Sequence, residues 1–381
     1  MNYTLKLFDI PLIRFYASED SVDPEITIHW INEAEYSLLP LDMGEPSEEN
    51  IGKWLKRRTI PGNRTFVRTF LAKCGLSINR PMSIISVSKG LSLNDSYWVT
   101  EDGFEGTFAK FNLYENRFSQ ILAYIAFTGY GSSIRSSLGS SPEFTTNGML
   151  PKCWRRISGK IVLYKGGTSG ASNTGNEPYS EFYASQVAQA MGIYAIPYGL
   201  AKWKGILCST CELFTSKEMA YIPAGRIVTK GGMKSVAEYY HTLGPSFEKA
   251  LRDMLVFDAV VCNTDRHFGN FGLLINSNTN QVAGPAPLFD HGNSLFNYAG
   301  KDFMQSEDTL EAYIKTLQPC VYDDFIATAA SYMDEESREQ LRRLLTFRFT
   351  KHSRYNLPDK DIKLIEAQIR KRARLLLEYG K

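Results

Sequence analysis

The sequence predicts an α+β fold in which a small, mainly antiparallel sheet is interrupted by one helix and followed by a helical C-terminal half. Three observations carry that expectation. Residues 144–165 and 193–214 are short β-type runs punctuated by the turn signals Ser158-Gly159 and Lys204-Gly205. Between them, Pro178 opens a stretch with helical apolar spacing (Phe182, Ala184, Val187, Ala188, Met191), and Gly192 closes it. Beyond residue 235 apolar side chains recur mostly at helical intervals. One helix between antiparallel strands differs from the repeated crossovers of a dinucleotide-binding sheet.

In chain order, residues 1–130 read as an accessory α+β domain. Leu5 to Phe15 and Ile26 to Leu39 suggest short strands, Ser47 to Arg57 a short helix, and Thr65 to Gly75 a helix ended by its glycine. The stretch from Ile84 to Val99 is either a polar ligand surface or a loop pinned by aromatic residues onto a core. Phe104 to Phe127 has further helical spacing. Residues 129–141 hold six serines and three glycines, the composition of an exposed connection, and open a second segment, 131–216, of linker and sheet. The third segment, 217–381, begins with irregular structure or a short hairpin up to Gly232. It continues with helices over 235–243, 247–262, 322–332, 336–345 and 361–379, and a short strand at 271–275.

Composition excludes several classes. With 43% hydrophobic and 22% charged residues the chain is that of an ordinary globular protein, and a net charge of +2 leaves no electrostatic footprint for direct nucleic-acid binding. No run approaches the roughly 18–20 apolar residues that cross a bilayer, and Met1 to Lys6 lack a secretory plan, so no membrane association and a cytoplasmic location are expected. The 6 cysteines are scattered among apolar neighbours, as reduced thiols are. Cys208-Ser-Thr-Cys211 has metal-like spacing but no second pair to complete four ligands. Arg370, Lys371, Arg372 and Arg374 crowd the last helix, either as a solvated face or as a contact for an acidic partner.

The chemistry gathers at Asn263-Thr-Asp265-Arg-His267-Phe-Gly-Asn270 and at Phe289-Asp290-His-Gly. A loop between a buried helix and a strand can hold Asp265 rigidly, where it is suited to orient a hydroxyl and accept its proton. The Asn270 amide oxygen and the Asp290 carboxylate are hard ligands appropriate to Mg²⁺. Lys165 ends an apolar strand, either as a solvent-facing terminator or as a cation offered to phosphate oxygens, and Glu181 on the next helix can hold it. Gly166 to Gly170 is a hairpin or an anion cradle. Taken together, these parts divide labour as a phosphoryl-transfer site does.

Asn263-x-Asp265-x-His267-x-x-Asn270, with Leu163-Tyr-Lys165 before it and Phe289-Asp290 after it, resembles the HipA-like serine/threonine kinases of bacteria, a group that includes a host-directed kinase of gastric pathogens. The resemblance covers residues 142–300. It implies a protein-kinase-like bilobal fold with a small N-lobe sheet and a helical C-lobe, ATP and Mg²⁺ as cofactors, and autophosphorylation. On that basis Asp265 is the catalytic aspartate, Asn270 and Asp290 hold the metal, and Lys165 and Glu181 form the phosphate-binding pair, with Glu177 the alternative partner. Thr146, Asn147 and Gly148 cover the phosphates; Glu212, Leu213 and Phe214 form the adenine hinge; and His267 supports the catalytic loop. His291 stands in the middle of an Asp-Phe-Gly-like triplet whose Gly292 is kept, so regulation by a moving phenylalanine is not implied.

The expected activity is thus an ATP-dependent protein serine/threonine kinase with a protein substrate. A small-molecule kinase and a non-catalytic nucleotide-binding interaction module are the alternatives. An antitoxin or other regulatory partner is compatible with the resemblance, as is a solitary enzyme.

Overall fold

A computed structural model describes residues 1–134, 138–171 and 173–379. The core of the serine-rich segment, residues 135–137, lies outside the described residues. Two compact units emerge: the first comprises Met1–Tyr164, Leu213–Ile222 and Leu274–Ala283, the second Lys165–Glu212, Pro223–Leu273 and Gly284–Lys381.

The chain begins with β1 (Asn2–Leu7), β2 (Ile10–Ala17) and β3 (Ile26–Ile31), followed by α1 (Glu48–Lys56), α2 (Val67–Lys73), α3 (Pro81–Ser88) and β4 (Tyr97–Glu101). Short α4 (Phe108–Phe111) and α5 (Gln120–Thr128) lead to β5 (Lys152–Ile157) and β6 (Lys160–Gly166). Then come α6 (Glu177–Met191), β7 (Gly199–Trp203), β8 (Ile206–Glu212), β9 (Met219–Pro223), α7 (Ala224–Ile227), α8 (Gly232–Leu243) and α9 (Pro245–Val261). After β10 (Gly272–Asn276) and β11 (Gln281–Pro285) the chain is helical: α10 (Glu307–Ile314), α11 (Phe325–Tyr332), α12 (Glu335–Arg343) and α13 (Asp359–Glu378). The fold is therefore mixed α+β with antiparallel sheets and helical regions.

In the first unit an antiparallel sheet runs in the order β3-β2-β1-β4. Alternation decides its faces: Ile13, Phe15 and Ala17 of β2 are buried, whereas Arg14 and Tyr16 are exposed. Ser47 caps α1 by accepting from the Asn50 amide, and Ile51, Trp54 and Leu55 carry that helix onto the sheet's core. The polar stretch before β4 is a pinned loop. Buried Arg58 binds Asp95 at 2.6 and 2.7 Å and donates to the Tyr97 carbonyl, and Trp98 is fully enclosed. A second cluster joins α2, α5 and Phe144, and Ile134 and Leu138 of the serine-rich segment pack against it. β5 and β6 are joined through Ser158 and Gly159, at φ 50° and 83°, the geometry of a tight two-residue hairpin.

The second unit opens with Lys165 and Gly166 at the end of β6. Helix α6 starts at Glu177 with Pro178 in its first turn and ends at Gly192, φ 80°. Arg343 donates to the Met191 carbonyl at 2.8 Å and occupies the space a Cβ at 192 would need, so the terminus is closed on both counts. β7 and β8 form an antiparallel hairpin about Lys204 and Gly205, φ 52° and 82°. The sequence suggested strand structure from Ile193, but β7 begins only at Gly199. Pro197 lacks the amide a ladder needs, and the residues before it make just a parallel bridge between Ala195 and Leu288. Helix α9 is enclosed nearly all round: Leu251, Leu255, Phe257, Val260 and Val261 have at most 2% exposure. It stops where Cys262 turns left-handed at φ 51°. The stretch 217–232, expected as irregular or a hairpin, instead supplies β9 and α7.

The basic cluster on α13 is largely used within this unit. Arg370 donates to the Phe347 carbonyl at 2.9 Å, Arg372 to the Ala259 carbonyl at 2.6 Å, and Lys371 pairs with Glu311. Among the described residues no helix is long and apolar enough to cross a membrane.

Candidate functional site

Lys165 lies near the end of the strand that closes at Gly166, and the residue is only 6% exposed. It lies 2.6 Å from Glu181 Oε1 and 2.5 Å from Asp290 Oδ1. Burial opposes the ammonium's charge, but the carboxylates of Asp290 and Glu181 outweigh it and hold the lysine protonated above its ordinary range. Glu181 is fully enclosed, and burial raises its pKa against the pull of Lys165. The partner of Lys165 is thus Glu181. Glu177, the alternative, is one turn earlier and does something else: it accepts from the Thr168 hydroxyl at 2.6 Å, the Thr168 amide at 3.2 Å and the Tyr298 hydroxyl at 2.8 Å. Gly167 is required there, since a Cβ would meet Glu177 Oε2 at 2.7 Å. The glycine-rich loop is therefore clasped at its base by a buried carboxylate.

Asp290 follows a strand-like segment in which the Leu288 amide donates to the Tyr194 carbonyl and the Ile196 amide to the Leu288 carbonyl. Its own amide donates to the Tyr198 hydroxyl at 3.0 Å, and its φ of 57° turns the chain sharply. Gly292 lies beside this cluster, where a Cβ would be in van der Waals reach of Glu181 Oε1 and the Glu177 Cβ.

The loop after α9 is fixed from within. The Asp265 amide donates to Asn263 Oδ1 at 3.1 Å, and the Asp265 carbonyl accepts from Asn270 Nδ2 at 3.0 Å. With its nitrogen used in this way, Asn270 has its amide oxygen left for a ligand. Asn293 Nδ2 donates to Asp265 Oδ2 at 3.0 Å. His267 is exposed, and its Nδ1 accepts from the Gly269 amide at 3.0 Å, a local brace of the loop.

Arg266, next to Asp265 in the loop, has no exposed surface. Its Nε and Nη2 bind Asp258 of α9 at 2.9 and 3.1 Å, while Nη1 donates to the Asn270 carbonyl at 3.1 Å and the Phe289 carbonyl at 2.5 Å. One guanidinium therefore fastens the Asn270 end of the loop to the segment that leads into Asp290. Sequence reasoning passed over Arg266, Asp258 and Asn293; the signal available for the first two was a charged pair eight residues apart at the end of an apolar helix.

His291 Nδ1 lies 3.1 Å from Arg266 Nη2, and the ring packs against Phe257 and Tyr198. Burial, aided by Arg266, pushes its pKa well below the usual histidine range, so the folded protein keeps it neutral. Unfolding restores a group that titrates near 6.5. Below that pH the unfolded chain binds a proton that the native chain refuses, so stability falls as pH drops through about 6.5, by up to about 1.4 kcal/mol per unit. His291→Gln should flatten this acid slope in urea titrations between pH 7 and 5.

The remaining expected positions are distributed differently. Glu212 ends β8 in the second unit and is exposed. Leu213 and Phe214 belong to the first unit, where the Leu213 amide donates to the Ile161 carbonyl at 2.9 Å and Phe214 packs edge-on against Tyr221. Thr146, Asn147 and Gly148 also lie in the first unit. The Thr146 hydroxyl donates to the Pro142 carbonyl at 2.6 Å and accepts from Trp154 Nε1 at 3.0 Å, and Gly148 has φ 91°.

No family model matches the chain. A serine/threonine-protein kinase, CtkA, of Helicobacter pylori is 24% identical over 177 residues, covering 42% of this chain and 54% of that protein, so the match spans about half of the relative's length. A crystal structure of the H. pylori proinflammatory kinase CtkA aligns over 61% of this chain and 92% of its own at 16% identity and a TM-score of 0.48. The HipA chain of a Shewanella oneidensis toxin–antitoxin complex, solved with HipB and operator DNA, aligns over 97% of this chain and 96% of its own at 12% identity and a TM-score of 0.52. Together these findings show a partial sequence similarity to a bacterial serine/threonine-protein kinase and a similarity of fold to a protein of a toxin–antitoxin complex, both at low identity. In particular, its fold is similar to that of the Shewanella HipA chain along nearly its whole length.

Proposed function

We propose that this protein is an ATP- and Mg²⁺-dependent protein serine/threonine kinase. The observation that carries the reading is the enclosed cation Lys165 held between Glu181 and Asp290 in the same unit as the braced Asp265 loop. Structural ion pairs are common, but a lysine with two carboxylates, one 31% exposed at its side chain, beside an oriented aspartate is suited to binding phosphate. The likeness to a serine/threonine kinase supports the same class.

The donor set fits magnesium. Mg²⁺ takes one or two protein oxygens and completes its shell with water and phosphate. Asp290 Oδ and the Asn270 amide oxygen would hold it; among the described residues no group of three His, Cys, Asp or Glu side chains forms a denser metal site. When bound, the ion supplies charge neutralisation at the nucleotide's terminal phosphates.

Within this reading the residues of the chain divide the work. Lys165 offers positive charge to the phosphates, and Glu181 keeps it placed. Asp265 orients the substrate hydroxyl and takes its proton as the oxygen attacks the γ-phosphorus. The new P–O bond forms as the bond to the bridging oxygen of ADP breaks, and ADP leaves with that electron pair. Arg266 holds the Asn270 and Phe289 carbonyls, so both ligand-bearing stretches stay in register. The proposed substrate is a serine or threonine of a protein, the chain itself included, and a regulatory protein partner is proposed from the likeness to a HipA solved with HipB.

Incubation with γ-labelled ATP and Mg²⁺ should place label on protein, and EDTA should abolish it. Label appearing only in a small soluble product would redirect the reading to a metabolite kinase. Nucleotide binding with no transfer to any substrate would leave an interaction module.

A further inference from the structure

The kinase reading assigns Asp265 a role but leaves open which of its two oxygens works and what keeps that oxygen in place. We propose that Asn293 is a positioning residue for Asp265: it engages Oδ2 and thereby dedicates Oδ1 to the attacking hydroxyl. This rests on the kinase reading.

The backbone of Asp265 is fixed by Asn263, His267 and Asn270, yet none of those contacts touches its carboxylate. A carboxylate's terminal torsion is soft and roughly two-fold, so a fixed backbone alone does not select an oxygen. The Asn293 amide does, by donating to Oδ2 at 3.0 Å. The same residue grips the loop through its backbone: its carbonyl accepts from the Thr264 amide at 3.0 Å and the Thr264 hydroxyl at 3.4 Å. Residues 264–265 and 293 are thus docked by three hydrogen bonds.

Asn293 is in turn held from outside the loop. The Ser294 carbonyl accepts from the Ser180 hydroxyl at 2.9 Å, the Asn297 carbonyl from Asn176 Nδ2 at 3.1 Å, and the Tyr298 carbonyl from Asn173 Nδ2 at 3.0 Å. The Leu295 amide donates to the Val261 carbonyl at the end of α9 at 2.8 Å. Leu295 and Phe296 are consecutive left-handed residues, φ 53° and 62°, a conformation that non-glycine residues keep only where surrounding contacts impose it. Ser180 adjoins Glu181, so α6 holds the Lys165 ammonium directly and the Asp265 carboxylate through Asn293. A displacement of that helix would disturb both ends of the reaction at once.

Kinetics and a spectroscopic measurement test the assignment separately. Asn293→Ala should lower kcat about 10- to 100-fold with KM for ATP changed less than about two-fold, the split expected when a catalytic group is misplaced but nucleotide binding is intact. Asn293→Asp preserves shape but removes the donor, so it should be at least as slow as the alanine variant; near wild-type turnover in the aspartate variant would reduce Asn293 to packing and overturn the proposal. In an Asp265→Ala background, Asn293→Ala should cause no further loss, and a full additional loss would equally overturn it. Independently of turnover, the Asn293 carboxamide resonance, assigned by its disappearance in Asn293→Ala, should shift in Asp265→Ala. An unmoved resonance would refute the hydrogen bond, whereas absence of transfer by the wild-type protein would refute the kinase reading and leave this measurement to judge the contact.

Discussion

Asp265→Ala is expected to reduce phosphoryl transfer by roughly 10²- to 10⁴-fold without loss of folded protein, the range associated with a positioned base. The local structure explains why the fold should tolerate it. Asp265 is half-buried, its backbone is held by Asn263 and Asn270, and its carboxylate meets Asn293, a neutral partner that can turn to water when the acid is removed. The measurement is incorporation of labelled phosphate at saturating ATP, beside a circular dichroism melt of the same preparation. A folded variant with unchanged transfer would remove Asp265 from the mechanism and with it the assignment of the loop.

The largest effect on stability is expected from Asp258. Asp258→Ala should cost about 3–5 kcal/mol in urea unfolding, because it strands a guanidinium that has no exposed surface. The carboxylate supplies both bonds on one edge of Arg266, at 2.9 and 3.1 Å, and water cannot replace it without opening the core around α9. A buried ion pair is weak support for stability in itself, so the double variant Asp258→Leu, Arg266→Met should recover much of the lost stability. It should not recover transfer, because the Asn270 and Phe289 carbonyls then lose the donor that ties them together. Stability regained together with activity would show that Arg266 serves the core alone.

The unequal legibility of the chain follows from the range over which each feature is determined. Helix α6 was readable because its apolar spacing, Pro178 and Gly192 are all local, and the hairpin turns at Ser158-Gly159 and Lys204-Gly205 were readable because the positive φ at their second position favours glycine. β7 was placed too early, since the run from Ile193 has strand-like composition but Pro197 cannot donate to a ladder. The Asn94-Asp95 stretch offered two readings, and only the buried Arg58, 37 residues away, makes it a pinned loop. The basic residues of α13 could have formed a binding face; contacts with Phe347, Ala259 and Glu311 absorb three of them.

At the candidate site the same distinction applies. Residue types and order along the chain determined the α+β class, the presence of a lysine-ended strand, and a loop rich in carboxylate and amide side chains, because those depend on neighbours within one element. Tertiary structure alone decided that Lys165 meets Glu181 and Asp290, that Glu177 instead clasps the glycine-rich loop, and that Arg266 and Asn293 brace the two acidic stretches. Each of those choices depends on hydrogen bonds of 2.5–3.0 Å between groups brought together from different elements. Spacing in sequence can make such a meeting feasible, but only packing in three dimensions selects which donor reaches which acceptor.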